Sequence, residues 1–250
     1  MQAVLYISHG SRMKEAQAQV CEFMKKCMAS IEIPIQEYCF LELAPPSLEE
    51  GVKRCVERGA TRIAAVPFLL LLAGHAKCDI PQQLSRLQRK FPKISFTYGR
   101  PLGVNDEMIE ILLERMLQKQ NAIAQDARVL LVGRGSSDPQ IKYDFHEIEQ
   151  RLKQKTGLAN VKTCYLAACK PDFETGLASV LEPSAKQVFV IPYLLFTGVL
   201  MHRLQERMKQ LDGFNRTIFL CSHLHFHENI ICVLANRVAE AVAKEERGFL

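Results

Sequence analysis

Two histidines of this 250-residue chain stand at positions that suit a shared metal ion. His9 directly follows a short apolar run and precedes Gly10, and His75 follows Gly74 a few residues after another apolar run. An imidazole binds divalent transition metals and exchanges protons near neutral pH. A single histidine in such a place is often an ordinary polar loop residue. Two of them, each beside a glycine that lets a flat ligand approach the backbone, favour a common site.

A third candidate, Glu42, follows the apolar run at residues 35–41. Its carboxylate could serve as a further metal ligand, as a proton acceptor, or as the partner that orients a histidine. The alternative is a solvated loop acid. Other catalytic motifs are missing from the sequence, which has no phosphate-binding G-x-x-x-x-G-K-S/T, no G-x-G-x-x-G and no nucleophile elbow G-x-S-x-G.

The sequence is duplicated, because a shift of 125 residues brings three separate stretches into register without a gap. The shift matches Gly10 with Gly135, so the loop framework recurs. The three candidate ligands do not recur: the second copy has Arg134 in place of His9, Ala167 in place of Glu42 and Leu200 in place of His75. This pattern predicts a single metal site, in the first copy, and leaves Arg134 available to bind an anion.

The elements that must position these residues alternate between short apolar runs and amphipathic segments. In the first copy this rhythm predicts strands at 3–8, 35–41, 63–68 and 94–98, and helices after residue 11 and at 48–57, 81–90 and 107–117. Asp79 and Pro81 are predicted to begin the third helix, as its cap and first turn. Apolar strands joined by helices indicate parallel sheets covered on both faces.

We therefore expect an α/β fold of two tandem doubly wound domains, residues 1–122 and 123–250, with the boundary in a polar stretch. Ligands of such sheets bind beyond the carboxyl ends of the strands. All three candidate ligands lie at predicted strand ends of that kind.

Composition excludes several classes of protein. The 48% hydrophobic and 24% charged residues exclude disorder. The longest apolar run, residues 63–74, is shorter than the about 20 residues of a membrane span, and no basic leader precedes the first strand. A net charge of +5 without a basic stripe argues against nucleic acid and favours acidic small molecules. Nine cysteines without a C-x-x-C pair favour reduced thiols in the cytoplasm.

Three further histidines, His223, His225 and His227, alternate with Leu224 and Phe226. In a strand, this spacing would place the three imidazoles on one face. Such a face could load metal transiently, or it is an ordinary exposed polar face.

The sequence resembles the sirohydrochlorin chelatases over its whole length. Three motifs after successive strands carry the resemblance: His-Gly-Ser-Arg from His9, Phe-Leu-Glu-x-x-x-Pro-Ser from Phe40, and Pro-x-Leu-Leu-x-x-x-x-His-x-x-x-Asp-Ile-Pro from Pro67. The resemblance implies a duplicated chelatase fold with the active-site cleft between two domains. It also implies metal binding by His9 and His75, with His9 as proton acceptor. We take His9, His75 and Glu42 as the catalytic residues.

The same resemblance implies which residues contact the macrocycle. One group lies in the loop from Glu42 to Ser47, including Pro45, and the other is the segment Leu70, Leu71, Leu72, Ala73 and Gly74. The substrate bears many carboxylates, for which a cationic rim is available in Arg12, Lys77, Arg134 and Arg203.

The implied reaction is insertion of Fe²⁺ into sirohydrochlorin, which yields sirohaem and releases two protons. Some cobalt-specific relatives carry a histidine-rich extension, and the absence of histidine from residues 245–250 favours iron. Insertion of Co²⁺ is the alternative within the family, and a carrier that binds tetrapyrrole or metal without turnover is the alternative of another class. We expect a cytoplasmic monomer that needs no cofactor beyond the transferred divalent ion and binds neither nucleic acid nor membrane.

Overall fold

The computed structural model of the chain describes residues 1–181, 187–211 and 217–244, and these form two four-stranded parallel sheets with their helices. The elements of the first half are β1 (Gln2–Ser8), α1 (Lys14–Ser30), β2 (Ile35–Phe40), α2 (Leu48–Glu57), β3 (Arg62–Pro67), a π-helical turn (His75–Asp79) that continues into α3 (Ile80–Lys90), β4 (Ser95–Tyr98) and α4 (Asp106–Leu117).

The second half repeats the series. Its elements are β5 (Arg128–Gly133), α5 (Gln140–Thr156), β6 (Asn160–Tyr165), α6 (Phe173–Val180), β7 (Gln187–Pro192), α7 (Val199–Lys209), β8 (Thr217–Leu220) and α8 (Glu228–Ala243). The predicted alternation of strands and helices is confirmed. None of the helices in the described ranges is both long enough and apolar enough to cross a membrane.

The two sheets have the same topology. Their strand orders are β2-β1-β3-β4 and β6-β5-β7-β8. Ala3 lies opposite Ile35 in the first sheet, and Arg128 lies opposite Asn160 in the second, which is the same pair after the shift of 125 residues. β2 and β3 lie on opposite sides of β1, so the connections that leave β1 and β3 run in opposite directions. A topological switch point therefore lies between β1 and β3. The predicted pair of doubly wound α/β domains is thus confirmed.

The central strands are buried on both faces, which explains their continuous apolar sequences. Residues 3–7 of β1 and residues 129–132 of β5 are 0% exposed. Such strands form a rigid base for the loops at their carboxyl ends, where a binding site needs precise side-chain positions.

The compact units of the structure differ from the predicted domains 1–122 and 123–250. The first unit contains residues 1–103 and the segment from Ile230, and the second contains residues 104–229. The last helix of each repeat is therefore exchanged, because α8 belongs to the first unit and α4 to the second. The boundary near residue 122 marks the sequence repeat and not the unit of packing.

Hydrogen bonds hold each exchanged helix in its unit. In the first unit, the Thr97 hydroxyl donates to the Ala241 carbonyl of α8 at 2.7 Å. In the second unit, the Arg115 guanidinium of α4 donates to the Leu224 carbonyl at 2.6 Å. The apolar side of α8 is also buried, through Ile230, Val233, Leu234, Val238 and Ala241.

Candidate metal centre

Three potential metal ligands converge at the carboxyl edge of the first sheet. His9 follows β1, Glu42 follows β2 and His75 follows β3, and one ligand atom from each lies within 4.8 Å of the others. His9 Nε2 is 3.4 Å from Glu42 Oε1, and the His9 and His75 ring centroids are 4.7 Å apart with the ring planes at 89°. Metal–ligand bonds of about 2.0–2.2 Å require ligand atoms roughly 3–4 Å apart. Small side-chain adjustments would therefore bring all three onto one ion.

Hydrogen bonds beyond the strand ends hold His9 and Glu42 side by side. The N–H of Leu41 donates to the Ser8 carbonyl at 2.8 Å, and the N–H of Glu42 donates to the His9 carbonyl at 3.1 Å. Gly10 then turns the chain away with a φ of +96°, and a Cβ atom there would lie 1.9 Å from the carbonyl oxygen of Glu42. The close approach of the two loops therefore requires glycine.

Gly10→Ala is expected to destabilise the chain by about 1–3 kcal/mol, because both the left-handed backbone and the contact with Glu42 disfavour a side chain. It should also separate Glu42 from His9 and weaken metal binding. Gly135→Ala is the matched variant, since a Cβ there would lie 1.9 Å from the Ala167 carbonyl oxygen. It should cost similar stability and leave metal affinity unchanged. Urea unfolding measures the stability of each variant, and Co²⁺ titration measures its metal affinity. Equal Co²⁺ affinities in the two variants would contradict this account.

His75 is positioned by a helix and not by a loop. It begins the π-helical turn that continues into α3, and its Nδ1 lies 2.6 Å from Asp79 Oδ2. The prediction that Asp79 caps α3 is wrong: Asp79 has helical backbone angles and its side chain accepts no capping hydrogen bond. The helical path already begins at His75, so no helix end remains at Asp79. The sequence analysis missed this histidine–carboxylate pair, although its i, i+4 spacing was an available signal.

The second unit repeats the backbone of the site without its ligands. The N–H of Ala167 donates to the Arg134 carbonyl at 2.9 Å, and Gly135 has a φ of +88°. Arg134 is exposed, and Leu200 lies partly buried at the start of α7. The backbone of these loops is therefore alike in both units, whereas the side chains at the metal-ligand positions differ.

A family of known proteins matches both repeats of this chain. The sequence profile of the CbiX family matches residues 3–119 and matches again at residues 128–241. The chain belongs to the CbiX family. A sirohydrochlorin ferrochelatase of Priestia megaterium is 46% identical over 249 residues, which cover 100% of this chain and 94% of the relative. A sirohydrochlorin cobaltochelatase of the same organism is 35% identical and covers 98% of this chain and 81% of the relative.

Solved structures share the whole fold of this CbiX family member. SirB from Bacillus subtilis with Fe³⁺ is 39% identical and has a TM-score of 0.89. The structural alignment covers 97% of this chain and 96% of that chain. The sirohydrochlorin chelatase SirB from Bacillus subtilis subspecies spizizenii in complex with cobalt is 38% identical, with a TM-score of 0.85 over 96% and 95% of the two chains.

The residues assigned to the macrocycle differ in exposure in this CbiX chain. The exposed ones are Glu42, Pro45, Ser47, Leu72 and Gly74, the partly buried ones are Leu70 and Ala73, and Leu71 is buried in the core. Of the assigned cations, Arg12 and Lys77 are exposed in the first unit, and Arg134 and Arg203 are exposed in the second. Contact of these residues with substrate stays a prediction.

Ser47 has a structural role at the start of α2. Its hydroxyl accepts the N–H of Glu50 at 3.3 Å, and the Glu50 carboxylate accepts the N–H of Ser47 at 2.7 Å. This reciprocal pair is a capping box that begins α2, and its hydrogen bonds lower the pKa of Glu50. A contact between Ser47 and substrate remains a prediction.

The three histidines near the end of the CbiX chain do not lie in a strand, so the condition for three imidazoles on one face is not met. β8 ends at Leu220, and His225 has a φ of +52°, which breaks the extended conformation. The rings of His223 and His225 stack with centroids 5.1 Å apart, whereas His227 Nε2 lies 2.7 Å from a carboxylate oxygen of Glu114. The three imidazoles therefore do not share one metal-binding face.

His223 is expected to make the protein sensitive to acid. Burial, and then the charges of His225 and Arg115, lower the pKa of His223 from 6.5 to about 4. Below pH 6.5 His223 is protonated in the unfolded chain, whereas in the folded chain it stays neutral down to about pH 4. The free energy of unfolding therefore falls across this pH range by at most about 3 kcal/mol. His223→Asn should lose that part of the decline. Urea unfolding between pH 7.5 and 4.5 tests this, and identical pH dependence in both proteins would refute it.

Proposed function

We propose that this chain is a sirohydrochlorin ferrochelatase, which inserts Fe²⁺ into sirohydrochlorin, forms sirohaem and releases two protons. The observation that carries the proposal is the convergence of His9, Glu42 and His75 at one edge of the first sheet. The proposal is supported by the relative of that name, which matches the chain over its full length at 46% identity.

The ligand set suits a metal ion that passes through the site. Two imidazoles and one carboxylate replace part of the hydration shell of a divalent ion and leave other coordination positions open. The side chains of His9 and Glu42 are 30% and 46% exposed, so the site borders solvent, although the His9 Nε2 atom itself is buried. An ion held in this incomplete way can be transferred to the four nitrogens of the macrocycle.

Two pyrrole N–H protons must leave as the metal enters. We propose that His9 accepts them in turn, after its lone pair has released the ion to the macrocycle, and that Glu42, 3.4 Å away, passes each proton on to solvent. Each N–H bond breaks as a metal–nitrogen bond forms. The two positive charges of the released protons balance the two positive charges of the inserted ion. No electron is transferred, so the reaction requires no cofactor beyond the ion.

Macrocycle binding is proposed to combine apolar contact with charge pairing. Leu72, 42% exposed, lies three residues before His75 and offers an apolar surface next to the metal ligands. We assign the same role to Pro45, Leu70, Ala73 and Gly74, whereas Leu71, which is 8% exposed, is proposed to support this surface from within the core. The substrate carboxylates are proposed to pair with Arg12, Lys77, Arg134 and Arg203.

Co²⁺ is the second candidate metal. The relative at 35% identity is named a sirohydrochlorin cobaltochelatase, and one SirB structure is a cobalt complex. Imidazole and carboxylate ligands bind both ions. The expectation drawn from the histidine-free residues 245–250 concerns residues outside the described ranges. A carrier that binds tetrapyrrole or metal without turnover is the candidate of another class.

The absorbance change of sirohydrochlorin on metal insertion distinguishes the three. It is followed anaerobically with Fe²⁺ and with Co²⁺, each with and without the protein. The proposal expects the protein to accelerate insertion of Fe²⁺ with a higher kcat/KM than that of Co²⁺. The reverse order would identify a cobaltochelatase, and binding without acceleration of either reaction would identify a carrier.

We also propose that the protein is a cytoplasmic monomer that binds neither nucleic acid nor membrane. All nine cysteines are free thiols, a state that a reducing compartment maintains. The three proposed metal ligands come from one chain, so the site needs no second copy.

A further inference from the structure

We propose that Asp79 is a positioning residue for His75, and that the Tyr98 hydroxyl stabilises the π-helical turn in which the two residues meet. This inference rests on the proposed function, because it assigns His75 as a ligand of the transferred metal. Neither residue belongs to the group of three converging ligands, which consists of His9, Glu42 and His75. Both act through His75.

The contact between Asp79 and His75 determines which ring nitrogen binds metal. Asp79 Oδ2 lies 2.6 Å from His75 Nδ1, and an ionised carboxylate only accepts hydrogen bonds. The proton of the neutral imidazole is therefore on Nδ1, and the lone pair on Nε2 is available to the metal. The pair is solvent-exposed, with side-chain exposures of 36% for His75 and 51% for Asp79, so it adds little to folding stability.

The turn that brings Asp79 to His75 leaves one carbonyl without its usual donor. The N–H of Ile80 donates to the His75 carbonyl, five residues back. The next donor in a π-helical series would be residue 81, which is proline and has no N–H. The Ala76 carbonyl instead accepts the Tyr98 hydroxyl of β4 at 2.8 Å.

Tyr98 is suited to that role. Burial raises the pKa of Tyr98, so its hydroxyl stays protonated and donates at any working pH. Its ring packs against the first core cluster, which anchors the hydroxyl to the sheet. Single π-helical turns are uncommon and concentrate at functional sites, which agrees with a turn that is supported by a side chain from another element.

The second unit provides an internal control. The shift of 125 residues places Leu200 at His75 and Leu204 at Asp79, and the equivalent helix α7 is α-helical from Val199. The pairing of β7 with β8 places Leu220 at the position of Tyr98. Where the histidine is missing, its carboxylate, the tyrosine and the π-helical turn are missing too. His75, Asp79, Tyr98 and the π-helical turn therefore occur together, as expected if they serve one metal-binding role.

The test compares Asp79→Ala, Asp79→Asn and Tyr98→Phe in the full chain, with Glu114→Gln as control. Glu114 lies 2.7 Å from His227 in the second unit, so its variant also removes a carboxylate from a histidine, but one that is not a proposed metal ligand. We expect Asp79→Ala to weaken Co²⁺ binding roughly 10–100-fold, as loss of such partners typically does. Asp79→Asn keeps an acceptor and should lose less. Tyr98→Phe should lose affinity without loss of Co²⁺ stoichiometry, and Glu114→Gln should change neither.

Two further measurements separate positioning from general damage to the structure. Asp79→Ala should raise the KM for metal and leave the KM for sirohydrochlorin unchanged. In a His75→Ala background, Asp79→Ala should have no further effect on Co²⁺ binding. The inference would be overturned if both Asp79 variants kept wild-type Co²⁺ affinity. It would also be overturned if Asp79→Ala lowered Co²⁺ affinity in the His75→Ala background by the same factor as in the wild type. If the wild-type chain inserts no metal into sirohydrochlorin but Asp79→Ala still weakens Co²⁺ binding, the proposed function fails and the positioning role stands.

Discussion

His9→Ala and His75→Ala are each expected to lower the kcat/KM of metal insertion by at least about 100-fold. Each removes one of three ligands to the ion, and general acid–base catalysis by a positioned side chain contributes about 10²–10⁴-fold. The two variants should differ, since His75 is proposed only to bind metal whereas His9 also accepts protons. A higher Fe²⁺ concentration should therefore restore part of the activity of His75→Ala and little of that of His9→Ala.

The control for this pair is Leu200→Ala, at the position of His75 in the second unit. It should retain the insertion rate within a few-fold. Thermal unfolding of all three variants should stay close to wild type, because His9 and His75 are partly exposed and not core residues. Steady-state rates of Fe²⁺ insertion at several metal concentrations are the measurement. Undiminished turnover in either histidine variant would remove the shared metal site from the mechanism.

A fragment of residues 1–122 is expected not to fold, although it contains the complete first sequence repeat. It lacks α8, whose buried residues are Ile230, Val233, Leu234, Val238 and Ala241. Full burial of a large aliphatic side chain is worth about 1.5–3 kcal/mol, so the loss is on the order of the 5–15 kcal/mol that stabilises a typical domain. The fragment also carries α4, which belongs to the second unit and would expose an apolar face.

The matched fragment joins residues 1–103 to residues 230–250 through a flexible Gly-Ser linker. It contains the first unit as the structure defines it, with all three metal ligands, and should unfold cooperatively and bind one Co²⁺. Circular dichroism during thermal unfolding and size-exclusion chromatography distinguish the two fragments. A cooperative, monomeric 1–122 fragment that is as stable as the joined one would show that the exchange of helices has no energetic importance.

The ligands of the metal centre could be predicted from the sequence because of a simple property of parallel sheets. Carboxyl ends of neighbouring strands meet at one edge, so residues that follow three buried strands converge even when they are 33 residues apart, as His9 and Glu42 are. The duplication added a comparison inside the chain, since Arg134, Ala167 and Leu200 mark the same positions without metal chemistry.

Other features depended on contacts that no local pattern contains. The exchange of α4 and α8 follows from packing between segments that are more than 100 residues apart, such as the bond from Thr97 to Ala241. Asp79 followed the local rule for a helix cap, but its pairing with His75 and the π-helical turn placed it inside a longer helix. The alternation of His223, His225 and His227 resembled a strand, and the left-handed backbone at His225 prevented one.

The number of metal ions bound per chain tests the central claim most directly. Equilibrium dialysis against Co²⁺, without tetrapyrrole, compares the wild-type protein with the double variant His9→Ala/His75→Ala. Because the ligands converge in the first unit and their counterparts are missing from the second, we predict one specifically bound ion in the wild type and none in the double variant. Two ions per wild-type chain, or an ion retained by the double variant with unchanged affinity, would contradict the assignment of a single metal site to His9, Glu42 and His75.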